Sequence, residues 1–168
     1  MDLINDKSLE PWMRGYLDAK EPVLNAVLYS LQQSREDIEK CLAALTDAQV
    51  WESRGNLAPV GFHILHIAGS VDRLTTYAAG DSLTEDQLQV LGHEKDRELS
   101  REELRDMTET SIQKAEALIR STDPNRFGDR REIGRKRIPT TLIGLLFHIA
   151  EHTQRHVGEA IITAKLVR

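Results

Sequence analysis

The chain has 168 residues, of which 40% are hydrophobic and 29% charged, and its formal net charge is -5. This length suits one ordinary domain, which we expect to span residues 1–168 and to need no disulfide or structural metal. No run of about 18 apolar residues is present, so a membrane-spanning helix is not expected. Its acidic charge disfavours a nucleic-acid partner. The single cysteine, Cys41, and the lack of a visible secretory signal predict a cytoplasmic location.

Helical periodicity marks four long segments of the chain. Apolar side chains recur in them at spacings of three and four residues, near residues 22–45, 59–79, 100–122 and 140–165. A proline, a glycine or a capping residue bounds each segment, as Pro22 does at the first and Gly80 after the second. With no clear strand partners, these segments predict an all-α fold, a four-helix bundle with long crossover connections.

The connections between the predicted helices are long for a bundle, so we expect at least one to cross the bundle end. Residues 80–98 contain a capping sequence that suits a short turn of helix, but Gly92 and the charges around it favour a long connection. Residues 130–138 are expected to form a small hairpin. We expect residues 1–20 to form a lead-in or a short helix.

Five of the six histidines lie in two of the predicted helices: His63, His66, His148, His152 and His156. Because His152 and His156 are four residues apart on one face, both can reach a single metal ion. A third ligand would have to come from another helix, and three imidazoles would leave a coordination position for water or substrate. From spacing alone, structural histidines or histidines with hydrogen bonds between helices are the commoner explanation of such a pattern. His93 lies in a polar loop and is expected to be solvated.

Two motifs resemble those of the DinB/YfiT-like superfamily. The segment 59–69, PVGFHILHIAG, is similar to the second-helix motif of that family, and segment 152–158, HTQRHVG, resembles its last-helix motif HxxxHxG. The resemblance implies that His66, His152 and His156 bind one divalent cation, for which zinc or nickel is suitable. His63 and His148 match no ligand position in these motifs.

One position departs from the family pattern, because Glu159 stands where glutamine is common. Its carboxylate is one turn from His156, where it can hydrogen-bond the outer nitrogen of a ligand or face solvent. By angle on their helix, Arg73 and Tyr77 lie near His66 and could line a cleft or could be ordinary packing residues.

The resemblance also implies an activity. Family members with an assigned activity include thiol-dependent S-transferases and hydrolases, so the expected function is metal-dependent activation of water or of a low-molecular-weight thiol toward a small-molecule substrate. An alternative is a non-catalytic metal-binding or stress-response interaction protein of the same fold. Nucleic-acid binding through the basic loop 126–137 is disfavoured, since Asp129 and Glu132 partly neutralise that loop.

A homodimer is also expected from composition and family habit, because symmetric dimers are the commonest assembly. We expect four leucines to exceed what one bundle core needs and to form a second apolar strip: Leu28, Leu42, Leu65 and Leu146.

Overall fold

A computed structural model describes residues 6–15, 21–94 and 99–168. Within these ranges the α-helices are α1 (Pro22–Ala43), α2 (Asp47–Val50), α3 (Val60–Ala79), α4 (Glu85–His93), α5 (Arg101–Ser121) and α6 (Leu142–Val167). An antiparallel pair, β1 (Arg130–Ile133) and β2 (Ile138–Thr141), precedes α6. The all-α prediction is confirmed, and the four long helices α1, α3, α5 and α6 match the four predicted segments. None of the helices in the described ranges is both long and apolar enough to cross a membrane.

The four long helices form a ring in which parallel and antiparallel neighbours alternate. Both α1 and α3 pack against α5 and α6, so α1 lies diagonally across from α3 and α5 across from α6. Contacts between the helices fix their directions: Arg35–Glu109 and Glu39–Arg105 join α1 to α5, Ser30–Ala150 and Ser34–Gln154 join α1 to α6, and His63–His156 and His66–His152 join α3 to α6. Therefore α1 and α6 run one way, and α3 and α5 run the other.

This topology explains the long connections. The links from α1 to α3 and from α5 to α6 join diagonal helices and so cross the ends of the bundle, as expected. Because α3 and α5 are parallel neighbours, the chain between them must return along the bundle, and α4 lies in this return. Gln87, near the start of α4, contacts Asp72 and Thr76, whereas Glu94 at its end reaches back to His66. The segment 80–98, which the sequence predicts to be a long connection, therefore contains a helix.

Trp51 closes the bundle end at which α3 and α5 begin. A Cβ atom at position 61 would lie 2.7 Å from the Trp51 ring, so Gly61 lets the indole pack directly against the first turn of α3. The indole Nε1–H donates to the Leu99 carbonyl at 2.7 Å, just ahead of α5. One side chain thus joins the α1–α3 crossover to the starts of two helices.

The core contains the leucines that the sequence reading assigned to a second apolar strip. Leu28, Leu42, Leu65 and Leu146 are all fully buried. They supply no exposed strip, and that basis for a homodimer is wrong. Because α4, α5 and α6 all pack against α3, this helix needs apolar residues on more sides than a helix with two neighbours. The homodimer itself stays a prediction.

The predicted hairpin is confirmed over residues 130–141, and two of its arginines make defined contacts. Arg131 is buried and donates to the Ala78 carbonyl at 2.8 Å, while Arg130 pairs with Glu132 at 2.9 Å. At the other end of the chain, Pro11–Met13 form one 3-10 turn, and the rest of the expected lead-in falls partly outside the described residues.

Candidate metal centre

The antiparallel packing of α3 on α6 brings together the three histidines that the family resemblance singles out. Nε2 of His66 lies 3.2 Å from Nε2 of His152, and one ring nitrogen from each of His66, His152 and His156 lies within 4.8 Å of the others. The ring centroid of His156 is 4.6 Å from those of both His66 and His152. The three imidazoles therefore converge on one point at the α3–α6 seam.

The spacing and chemistry of these donors fit a transition-metal ion. Imidazole nitrogens bind zinc at about 2.0–2.1 Å, which puts two ligands on one ion about 2.9–3.4 Å apart. The separation of 3.2 Å between the Nε2 atoms of His66 and His152 falls in this range. All three side chains are partly exposed, which leaves room for a further ligand. This group could hold a metal ion.

Glu94 supports His66 from the side away from the cluster. The Nδ1–H of His66 donates to Glu94 Oε2 at 2.8 Å, and Arg73 Nη1 donates to Glu94 Oε1 at 2.6 Å. Burial alone would raise the pKa of Glu94, but the hydrogen bonds from His66 and Arg73 outweigh it and lower the pKa. Glu94 is therefore an ionised carboxylate, 5% exposed, that leaves the Nε2 lone pair of His66 free to face the cluster.

Gly69 makes the space for this carboxylate. A Cβ atom at position 69 would overlap Glu94 Oε1 and lie 2.7 Å from Arg73 Nη1. Glycine in the middle of a helix costs stability relative to alanine, by about 1 kcal/mol. At this position the missing side chain is what allows the buried Glu94–Arg73 pair to form against α3.

Glu159 plays a corresponding part for His156. Its Oε2 atom is 2.7 Å from His156 Nδ1 and 3.2 Å from His63 Nδ1. The side chain of Glu159 is 49% exposed, so it contacts both solvent and the imidazoles. Of the two roles left open by the sequence, the structure shows the contact with the outer nitrogen of His156.

The environment of the cluster favours the neutral form of His152, His156 and His63. Burial, together with the neighbouring His156 and His66, lowers the pKa of His152 to about 4. Burial likewise lowers the pKa values of His156 and His63, although Glu159 opposes the effect in both. A neutral imidazole is the form that binds metal. Nδ1 of His152 is buried without a hydrogen-bond partner in the described structure.

The remaining candidate residues lie outside the three-histidine group. His63 is buried and forms with His156 and Glu159 a second set of donor atoms that lie within 4.8 Å of one another, which the motif comparison did not single out. His148 is partly exposed and contacts Glu151 at 2.6 Å. His93 ends α4, rather than lying in a loop, and its side chain is outside the described residues.

Arg73 and Tyr77 do not both lie beside His66, as their angular positions on α3 suggest. Arg73 reaches His66 only through Glu94, and it lines a separate cavity of about 380 Å³ between α3, α4 and α5. Tyr77 follows His66 by eleven residues, so it is displaced about 16 Å along the helix axis. It lines a groove beside the β-hairpin. The sequence does not predict Glu94 as part of the site, because it does not predict α4.

Comparison with known proteins identifies the family. Two solved structures are similar in fold. A conserved protein from Enterococcus faecalis aligns with a TM-score of 0.68 and 18% identity, covering 88% of this chain and 98% of that chain. A DinB-like protein from Bacillus cereus ATCC 10987 aligns with a TM-score of 0.62 and 14% identity, covering 83% of this chain and 89% of that chain. Comparison with curated proteins gave no match. A sequence model of the DinB superfamily matches residues 30–160. The chain belongs to the DinB superfamily.

Proposed function

We propose that this protein is a metal-dependent enzyme, a hydrolase or a thiol-dependent S-transferase, which holds one divalent cation on His66, His152 and His156. The observation that carries the proposal is the convergence of one nitrogen from each of these residues within 4.8 Å. Carboxylates contact the outer nitrogens of two of the three rings, the arrangement that orients histidine ligands in metalloproteins. Imidazole donors suit zinc or nickel.

A bound ion of this kind supplies Lewis acidity, which lowers the pKa of a water molecule or a thiol so that it becomes a nucleophile near neutral pH. The chain's own residues orient the site. Glu94 keeps the Nδ1–H of His66 turned away from the cluster, and Glu159 does the same for His156. Phe62 stacks on His66 with a ring-centroid distance of 5.8 Å and covers one side of the cluster.

The single cysteine of the sequence is not itself a candidate nucleophile. Cys41 is buried in the core, and burial raises the pKa of its thiol. A buried thiol of this kind is a poor nucleophile, because the thiolate is the reactive form. A thiol used by this protein would therefore come from a small molecule.

The homodimer and the cytoplasmic location remain predictions.

Alanine replacement of each of five histidines tests the metal site. Each variant is equilibrated with zinc and dialysed, and bound metal is measured per chain. We expect His66→Ala, His152→Ala and His156→Ala to lose stoichiometric zinc, because each removes one of three donors. His63→Ala and His148→Ala should retain it, and His148→Ala serves as the matched control on α6. Full retention by one of the first three variants would remove that residue from the proposed site.

Turnover is tested separately from binding. The zinc- or nickel-loaded protein is screened with small thiols plus electrophiles and with ester and amide substrates, using the His152→Ala variant as the control. We expect one of these substrate classes to react only with the loaded wild-type protein. Stoichiometric metal binding with no reaction in either class would favour the alternative, a non-catalytic metal-binding or stress-response interaction protein.

A further inference from the structure

We propose that Glu94, at the end of α4, is a positioning residue for His66. It fixes the His66 tautomer whose Nε2 lone pair faces His152. Through this contact, the docking of α4 and the binding of metal depend on each other. The part that concerns metal rests on the proposed function. The part that concerns the tautomer is a property of the metal-free protein.

The tautomer follows from the hydrogen bonds at Glu94. A carboxylate paired with an arginine accepts hydrogen bonds and donates none. Since Oε2 of Glu94 lies 2.8 Å from His66 Nδ1, this contact favours the tautomer of a neutral His66 ring that has its proton on Nδ1. The Nε2 atom then carries a lone pair, and it is this atom that lies 3.2 Å from His152 Nε2.

Glu94 is held in place by contacts on its other side. Arg73, which is buried, binds the second carboxylate oxygen at 2.6 Å, and Gly69 leaves the space that both side chains occupy. The carboxylate therefore cannot move away from His66 without breaking a buried ion pair. Glu159, in contrast, is half exposed and lies on the same helix as His156. It also contacts His63 on α3, so it joins the two helices that carry the cluster but does not reach α4.

The coupling arises because α4 reaches α3 through two polar anchors. Gln87 donates to Thr76 Oγ1 at 2.8 Å at the start of α4, and Glu94 reaches His66 and Arg73 at its end. Only the second anchor touches the histidine cluster. Any ligand that favours the His66 orientation set by Glu94 therefore also favours docked α4, and the effect is reciprocal by linkage.

The first test uses side-chain ¹⁵N NMR of the histidines in metal-free protein, with Glu94→Gln as the variant. Glutamine has one acceptor oxygen, which Arg73 should retain, so the amide nitrogen would face His66 and donate to Nδ1. We expect the His66 proton to move from Nδ1 to Nε2. Glu36→Gln is the matched control, because Glu36 also forms a poorly exposed carboxylate–arginine pair, with Arg14 at 2.8 Å, but does so on α1. It should leave the His66 signals unchanged.

The second test measures zinc affinity and amide hydrogen exchange in α4. Loss of such a support typically weakens metal binding by about 10–100-fold, which we expect for Glu94→Gln, against less than about twofold for Glu36→Gln. Zinc should slow exchange of the α4 amides in the wild-type protein and in Glu36→Gln, but not in Glu94→Gln. Should Glu94→Gln fail to fold, Gly69→Ala displaces the same carboxylate and should give the same changes.

The outcomes separate this proposal from the proposed function. An unchanged His66 tautomer in a folded Glu94→Gln variant overturns the positioning role. Slower α4 exchange with zinc in that variant overturns the coupling. If the wild-type protein binds no zinc or nickel, the proposed function and the coupling both fail, while the tautomer measurement still decides the role of Glu94 at His66.

Discussion

Two glycines in the middle of long helices should respond in opposite directions to alanine. Gly69 in α3 faces Glu94 and Arg73, and an added Cβ atom would overlap one and lie 2.7 Å from the other. Gly158 in α6 has nothing within 4 Å of the same added atom. Both substitutions gain the same helix propensity, so the difference between them isolates the cost of displacing the buried Glu94–Arg73 pair.

The magnitudes can be estimated from the contacts. Gly158→Ala should stabilise the protein by about 0.5–1 kcal/mol, since alanine is the better helix former. Gly69→Ala has the same gain but disturbs a buried ion pair, and breaking one costs about 3–5 kcal/mol when a charge is left without its partner. Because the two side-chain ends can shift by part of an ångström, we expect a net loss of about 2–3 kcal/mol. The two variants should therefore differ by about 3–4 kcal/mol.

Urea and thermal unfolding of metal-free protein, followed by circular dichroism at 222 nm, measure this difference. For a chain of this size, about 1 kcal/mol corresponds to a shift of about 2–4 °C in Tm, so the two variants should melt about 6–16 °C apart. Equal stabilisation by both alanines would refute the reasoning. It would mean that the Glu94–Arg73 pair contributes nothing at its position against α3.

Three further predictions concern pH and packing. The pKa of Glu36 is lowered to about 2, chiefly by its hydrogen bond with Arg14. The pair therefore stabilises the protein above about pH 4.5, and this stabilisation is lost as the pH falls toward about 2. In urea titrations, Glu36→Gln should remove that acid dependence and lower the stability at neutral pH by about 1–3 kcal/mol. Because the pKa of His152 is lowered to about 4 in the folded protein, the unfolded chain takes up this proton first as the pH falls. The free energy of unfolding of the metal-free wild-type protein should therefore fall by about 1–2 kcal/mol between about pH 6.5 and 4. His152→Gln should lose less stability in the same titration. Gly61→Ala should destabilise by about 1–3 kcal/mol and shift the tryptophan emission spectrum, because the new methyl group would displace the Trp51 ring; an unchanged spectrum would count against this packing.

The long helices could be predicted from the sequence because their signals are local. Apolar spacing and flanking caps placed all four to within about two residues, and a capping box formed by Ser100 and Glu103 begins α5. The same kind of box, Thr84 with Gln87, begins α4. That helix has nine residues, too few for a strong periodic pattern, and Gly92 weakened it further.

The support of the site could not be predicted, because it depends on how elements pack. Glu94 follows His66 by 28 residues, and no spacing rule states that a return segment will lie antiparallel on α3 at this register. Angle alone likewise grouped Tyr77 with His66, since a helical projection discards the distance along the axis. The three converging histidines were found through motif resemblance, whereas their carboxylate partners required the structure.

The ring order of the helices has a consequence for the nascent chain on the ribosome. On the side of the bundle opposite α5, α6 fills the seam between α1 and α3, and it is the last of the four long helices to be made. After α5 has emerged, α1, α3 and α5 can associate, but the apolar stripes of α1 and α3 that face α6 have no cover. Adding residues 122–167 takes roughly 2–9 s at about 5–20 residues per second. During that interval the unfinished bundle exposes apolar surface of the kind that chaperones bind, so expression at low chaperone capacity should favour aggregation before release rather than after it.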